Sequence, residues 1–196
     1  MTGTLYLIPN HLGLSDSPAD PLAHLIPEQV RQITSQLDYF VAENAKTARA
    51  FLKLIGNQHP LAKPLQEITI SELNVNTPAQ ALAGLLAPLL AGRDAGLVSE
   101  AGVPAVADPG ADLVRLAHQH GIKVRPLVGP SSILLAVMAS GLNGQSFAFN
   151  GYLPTDAALR AKRIKELEAE HSKLKRMFAD LAMENHALKE LIEKKL

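Results

Sequence analysis

All 13 glycines and all 13 prolines of this 196-residue chain lie at or before Pro154, and residues 155–196 contain neither. Glycine and proline interrupt regular structure, one through conformational freedom and the other through a fixed φ and a missing N–H. The first 154 residues must therefore fold as short elements joined by turns, whereas the remainder can run as one unbroken helix. In that tail Leu167, Leu174, Leu181 and Leu188 recur every seven residues, with Ile164, His171, Phe178, Asn185 and Ile192 on the companion seam. This is a leucine-zipper pattern. With the leucines at d, the g-to-e′ pairs of a parallel dimer are Arg163–Glu168, Glu170–Lys175, Met177–Ala182 and Glu184–Lys189, so each charged pair is attractive. Asn185 at an a position favours two strands in a defined register. The spacing predicts a homodimer through residues 160–195; the alternative is an amphipathic helix folded back on its own body.

The body in front of the tail has the composition of an Ala/Leu/Val-rich α/β protein, with 47% hydrophobic residues in the whole chain. The absence of cysteine excludes a disulfide framework and a thiolate metal site. The first residues lack the charged start and long apolar run of a signal peptide, and no apolar run is long enough to span a bilayer, which predicts a cytoplasmic protein and no membrane partner. Residues 1–155 carry nine Lys/Arg against eleven Asp/Glu, and the tail carries ten against eight. Neither balance sets up a field for nucleic acid.

Along the body, apolar runs and helical periods alternate. Thr4-Leu5-Tyr6-Leu7-Ile8 reads as a buried strand stopped by Pro9, with Asn10-His11-Leu12-Gly13 as a loop able to face a ligand. Residues 15–21 read as a surface connection, 27–33 as a helix and 37–42 as a second strand that delivers Glu43 and Asn44 at its carboxyl end. A helix follows from Ala45 with Gly56 as its C-cap, then a short strand at 67–70, a helix from Thr77-Pro78 to about Leu90, and a strand at Leu97-Val98. Beyond Gly110 come a helix closed by Gly121, a strand over 122–128, a helix over 133–139 ended by Gly141, and a strand over 146–150. Such alternation argues for a predominantly parallel sheet covered on both faces, so the fold class is α/β. The expected domains are residues 1–125, an N-terminal α/β domain; residues 126–155, the start of a second α/β domain; and residues 156–196, a long helix forming a coiled coil.

Residues 96–110 concentrate the polar chemistry. Leu97 and Val98 end a strand, Gly102 lets a ligand approach the main chain, and Asp108-Pro109 form an N-cap and first helical position; Ser99, Glu100 and Asp108 supply polar groups. The loop is either a capped strand-to-helix connection or a ligand site. Glu43 is likewise either a helix-start carboxylate or a catalytic one. Ser131 and Ser132 either cap the helix they precede or, with its free N–H groups, bind a polar or anionic ligand. The sequence contains no P-loop, no Gly-x-Gly-x-x-Gly, no His-Glu-x-x-His and no nucleophile elbow. His118 and His120 are two apart on a helix and diverge, so no metal site is expected.

Four stretches carry a resemblance: Leu5-Tyr6-Leu7-Ile8-Pro9; Val41-Ala42-Glu43-Asn44; Val98-Ser99-Glu100-Ala101-Gly102-Val103-Pro104 with Ala107-Asp108-Pro109-Gly110; and Pro126-Leu127-Val128-Gly129-Pro130-Ser131-Ser132. In order and spacing they resemble the tetrapyrrole methylase superfamily of S-adenosylmethionine-dependent methyltransferases, from Thr4 to about Leu167. They look closest to the branch containing the 16S rRNA (cytidine-2′-O)-methyltransferase. That resemblance implies a tetrapyrrole-methylase-like parallel-sheet domain and a second α/β domain. S-adenosylmethionine would be held in a cleft by Ile8, Pro9, Ser99, Glu100, Ala101, Gly102, Asp108, Ser131 and Ser132. It also implies an RNA substrate, with Glu43 or Glu100 as proton acceptor if a ribose hydroxyl is methylated. Asn44 stands where the family carries an acidic residue and Lys46 where it carries arginine. The tail from about Leu167 instead looks like the zipper of a small DNA-binding transposase subunit of insertion elements. That family's helix-turn-helix is absent, so self-association is implied and DNA binding is not. The combined expectation is a truncated methylase reading frame joined to a zipper, acting as a methyltransferase or, alternatively, persisting as an inactive protein that self-associates.

Overall fold

The structure is a computed structural model that describes residues 2–13 and 21–193, with side chains described through His186. Most of the expected surface connection at 15–21, and the side chains of Leu188, Lys189 and Ile192 in the expected zipper, lie outside the described residues. Two compact units divide the chain, Met1–Phe147 and Ala148–Leu196.

In the first unit, β1 (Thr4–Ile8), β2 (Tyr39–Ala42), β3 (Thr69–Glu72), β4 (Ala95–Val98) and β5 (Lys123–Pro126) form one sheet in the order β3-β2-β4-β1-β5. Every pairing is parallel. Strands β2 and β4 are buried at all of their positions, as a sheet covered on both faces requires. Successive side chains point to opposite faces, and this period of two divides the core. Val41 and Leu97 join Leu86, Leu89, Leu113 and Ala117 on one face; Phe40 and Val98 join Ile8, Val30, Phe51, Leu52 and Ile55 on the other. The first face is covered by α3 (Leu82–Leu90) and α4 (Gly110–Gln119), the second by α1 (Glu28–Ser35) and α2 (Ala45–Gly56). Gly96 makes room for that second cluster: a Cβ there would lie 2.6 Å from Ile8 Cδ1 and 2.7 Å from Phe40 Cδ1.

The strand order positions the site. After β1 the chain crosses one face to β2 and β3, then returns to place β4 between β2 and β1, and from β4 it crosses the other face to β5. The connections leaving the adjacent carboxyl ends of β1 and β4 therefore diverge, which creates a crevice there.

Several expected boundaries shift. The helix expected over 27–33 is Glu28–Ser35, and the helix from Thr77-Pro78 is a 3₁₀ turn, Ala79–Ala81, followed by α3. Gly56 lies inside α2 rather than capping it; the cap is Asn57 in a right-handed conformation, and Gly56 instead faces the side chain of Leu61. Pro109, not Asp108, occupies the cap of α4, which starts at Gly110. The strand expected over 146–150 does not form. Phe147 and Phe149 supply strand-like alternation but are exposed, and no described strand pairs with them to satisfy a ladder. Before it, α5 (Ser132–Ser140) ends at Gly141 with φ 67°.

In the second unit, Asp156 starts α6 (Ala157–Glu193) by accepting from the N–H groups of Ala158 and Leu159 at 3.0 and 2.9 Å. Its 37 residues make a rod of about 55 Å. No described helix is long and apolar enough to cross a membrane.

Candidate functional site

The crevice is closed by a latch between the residues that follow β1 and β4. Asn10 and Gly102 exchange main-chain hydrogen bonds, Asn10 N to Gly102 O at 2.8 Å and Gly102 N to Asn10 O at 3.2 Å. The buried Asn10 amide donates to the carbonyls of Ser99 and Glu100, both at 3.1 Å. Its Oδ1 accepts from the His11 N–H at 2.9 Å. Asn10 thereby uses both ends of its amide to hold two loops at the switch point. Asn10 belongs to a stretch expected to form a loop able to face a ligand, but Ser99 and Glu100 are about ninety residues away and nothing local marks them.

The expected site residues collect on this edge in the first unit. Ile8 is fully buried within the core and presents no surface to a ligand. Pro9 packs against Gly129, where a Cβ would overlap the proline ring. Ser99 is buried and donates to the Ala101 and Gly102 carbonyls. Glu100 and Ala101 are exposed. Gly102 has φ 70°, a conformation suited to glycine, and a Cβ on it would sit 3.5 Å from the Pro130 carbonyl. Ser131 is buried and caps α5, accepting from Leu134 N at 3.4 Å, while Ser132 is exposed in the first turn. Glu43 does not cap α2: Asn44 does, and the Glu43 carboxylate accepts from the Glu100 N–H at 3.0 Å. Glu72, at the end of β3, accepts from the Ala45 N–H at 3.0 Å.

Asp108 organises the far half of the loop. Its Oδ1 accepts from Gly110 N at 2.8 Å and from Ala105 N at 2.9 Å, and Oδ2 shares the latter bond at 3.0 Å. Ala105 and Ala107 on either side of this knot have φ of 65° and 60°, which L-residues seldom adopt. Burial pushes the Asp108 carboxyl above its ordinary value; the bonds from Gly110 and Ala105 oppose that shift and the charge of Glu43 adds to it. A groove of about 580 Å³ opens beside it, lined in part by Asn74, Val75, Thr77, Asp108, Asp112 and Arg115. His11 also borders the latch. Its Nδ1 is buried without a hydrogen-bond partner among the described residues, and burial holds the imidazole below its ordinary pKa, hence neutral at pH 7.

Fold and site together define a class: a parallel-sheet α/β protein whose loops after β1 and β4 meet at a topological switch point. Known proteins narrow it. Over 162 residues, 83% of this chain and 56% of the relative, it is 32% identical to ribosomal RNA small subunit methyltransferase I of Xylella fastidiosa. The same-named protein of Halalkalibacterium halodurans is 33% identical over 166 residues, 84% of this chain and 51% of the relative. That of Mesorhizobium japonicum is 46% identical over 85 residues, 43% of this chain and 29% of the relative. The chain spans about half the length of the first two of these curated relatives and less of the third. No family model matches it. Among solved structures, uroporphyrin-III-C-methyltransferase from Thermus thermophilus is 21% identical with a TM-score of 0.46, covering 73% of this chain and 55% of that one.

Proposed function

We propose that this chain is a member of the tetrapyrrole methylase superfamily and carries the catalytic edge of an S-adenosylmethionine-dependent methyltransferase acting on small-subunit ribosomal RNA. The observation that carries the reading is the meeting of Pro9-Asn10, Ser99 to Gly102 and Gly129 to Ser131 at one switch point. It supports the reading because these residues belong to a chain 32% identical over 162 residues to an rRNA methyltransferase. A cytoplasmic setting follows from such a substrate.

The donor set fits the cofactor. Glu100 is the exposed carboxylate on this edge suited to a sulfonium or an ammonium, whereas Glu43 and Asp108 accept main-chain N–H groups and hold the loop in shape. Gly102, at φ 70°, lets the loop turn back onto Asn10 and Pro130. Ser132 and the first turn of α5 offer donors to the carboxylate or the adenine. S-adenosylmethionine supplies, when bound, an electrophilic methyl group for in-line displacement, so the protein's main task is alignment. Glu43, bonded to the Glu100 N–H, fixes the loop between β4 and α4 against the end of β2. Glu100, exposed beside it, takes the proton released if the acceptor is a ribose hydroxyl.

A second reading keeps the loops without the chemistry: an inactive body in a protein that self-associates. It is favoured by exposed Leu134, Leu135, Met138 and Leu142 on and after α5, an apolar patch that nothing described covers. Calorimetric titration with S-adenosylmethionine separates the two. Binding heat followed by methyl transfer to small-subunit RNA supports the enzyme; no heat at about millimolar cofactor, an affinity weaker than about −4 kcal/mol, supports the inactive protein.

A further inference from the structure

We infer that α6 is an interface between two copies of this chain, wound as a parallel, in-register, two-stranded coiled coil. The inference rests on α6 alone and holds under either reading of the body. Leu174, Phe178 and Leu181 occupy successive d, a and d positions and are 63%, 75% and 57% exposed, with Met177 beside them at 57%. Apolar residues at a 3.5-residue spacing drift around a straight helix, and a second helix wound around the first is the partner that covers all of them together.

Charge names the occupant as another copy and sets its direction. In a parallel pair Glu170 meets Lys175 of the second chain and Glu184 meets Lys189, each twice by symmetry. Arg163 reaches Glu168 in the same way, although within one helix it already lies 3.5 Å from both Glu166 and Glu170. Asn185 decides between directions. Parallel, in-register pairing sets Asn185 against its own copy, where two amides satisfy each other. Antiparallel pairing matches a with d′; the d residues from 167 to 188 are all leucine, so an Asn185 set against any of them would face an apolar side chain.

The test uses the full chain. Sedimentation is expected to show a species of twice 21.0 kDa. The chain has no cysteine, so a single Leu174→Cys substitution reports direction: parallel, in-register helices bring the two thiols together, and mild oxidation should give a covalent dimer. The double variant E170K/E184K should dimerise about tenfold more weakly or worse, and mixing it with K175E/K189E should restore a heterodimer. These positions are on the helix surface, so an unchanged circular dichroism spectrum keeps loss of folding apart from loss of pairing. A wild-type chain monomeric at about 100 µM, as a helix folded on its own body would be, overturns the inference. So does a dimer indifferent to the charge exchange, as association through α5 would be, or a Leu174→Cys chain that does not cross-link.

Discussion

The carboxylate of Glu43, just past β2, accepts a 3.0 Å hydrogen bond from the main-chain N–H of Glu100, just past β4. These two acidic residues are thus different in kind. One is spent holding a loop, and the other presents its side chain to solvent. Glu43→Gln retains an acceptor oxygen and should leave cofactor affinity within about threefold, whereas Glu43→Ala should weaken it about tenfold, a charge-assisted bond discounted for its partial exposure. Titration calorimetry of both variants checks this. Were Glu43 instead the proton acceptor, Gln would abolish turnover and leave affinity intact.

How much of this edge can be read from the sequence depends on distance along the chain. Strands β1, β2 and β4 are legible because apolar runs stop at Pro9, Glu43 and Ser99, and α5 because Ser131 and Gly141 bracket it. The insertion of β4 between β2 and β1 is not legible, since parallel pairing leaves no local mark. The Asn10 latch follows from that insertion and stays hidden with it. Phe147 and Phe149 mislead for a related reason: alternation encodes a strand only when another strand is there to pair.

Gly129 is the position where a single methyl group should separate the two halves of the crevice. A Cβ there overlaps the Pro9 ring, and both residues sit in stiff main chain, with Pro130 following directly. Gly129→Ala should cost about 1–3 kcal/mol, the usual range for overpacking, and should abolish cofactor binding by pushing residues 129–131 off the latch. Gly84→Ala is the control. It lies in α3 with nothing within 4 Å of the added Cβ, and should raise stability by about 0.5–1 kcal/mol. Thermal melts of both proteins give the comparison.

Asp108 predicts a stability that rises as the solution becomes more acidic. Burial raises its folded pKa above the ordinary 3.8, so on acidification the folded state binds a proton before the unfolded state does. Folding then gains from that proton as pH falls from the raised value to about 3.8, and the gain disappears above it. Asp108→Asn can keep Oδ1 as acceptor for Gly110 and Ala105 without burying a charge. Its stability relative to wild type should therefore be best at neutral pH and decline on acidification. Asp108→Ala leaves both N–H groups without that acceptor and releases Ala105 and Ala107, costing about 1–3 kcal/mol at neutral pH. Denaturant midpoints measured at several pH values between neutral and 4 read both trends.

At the opposite, amino-terminal edge of the sheet, Asp38 predicts the reverse dependence. Its Oδ1 accepts from Arg93 Nε at 2.6 Å, its Oδ2 lies 2.5 Å from Lys63 Nζ, and its main-chain carbonyl accepts from Arg93 Nη2 at 2.8 Å. Arg93 also stacks over the Tyr39 ring, 5.3 Å from its centroid, so one guanidinium ties the lead-in of β2 to that of β4. Burial raises the Asp38 carboxyl, but the hydrogen bonds and charges of Lys63 and Arg93 outweigh it and hold the pKa below 3.8. Stability from this pair is then present above about 3.8 and lost as pH falls through the lowered folded value. Asp38→Asn should destabilise by about 1 kcal/mol at neutral pH, a modest figure because Lys63 and Arg93 are partly exposed, and the deficit should close under acid. Cofactor affinity should not change, because the latch lies at the other end of the strands. Chemical denaturation at pH 7 and pH 3, paired with calorimetry at pH 7, distinguishes this local loss from a general loosening of the sheet.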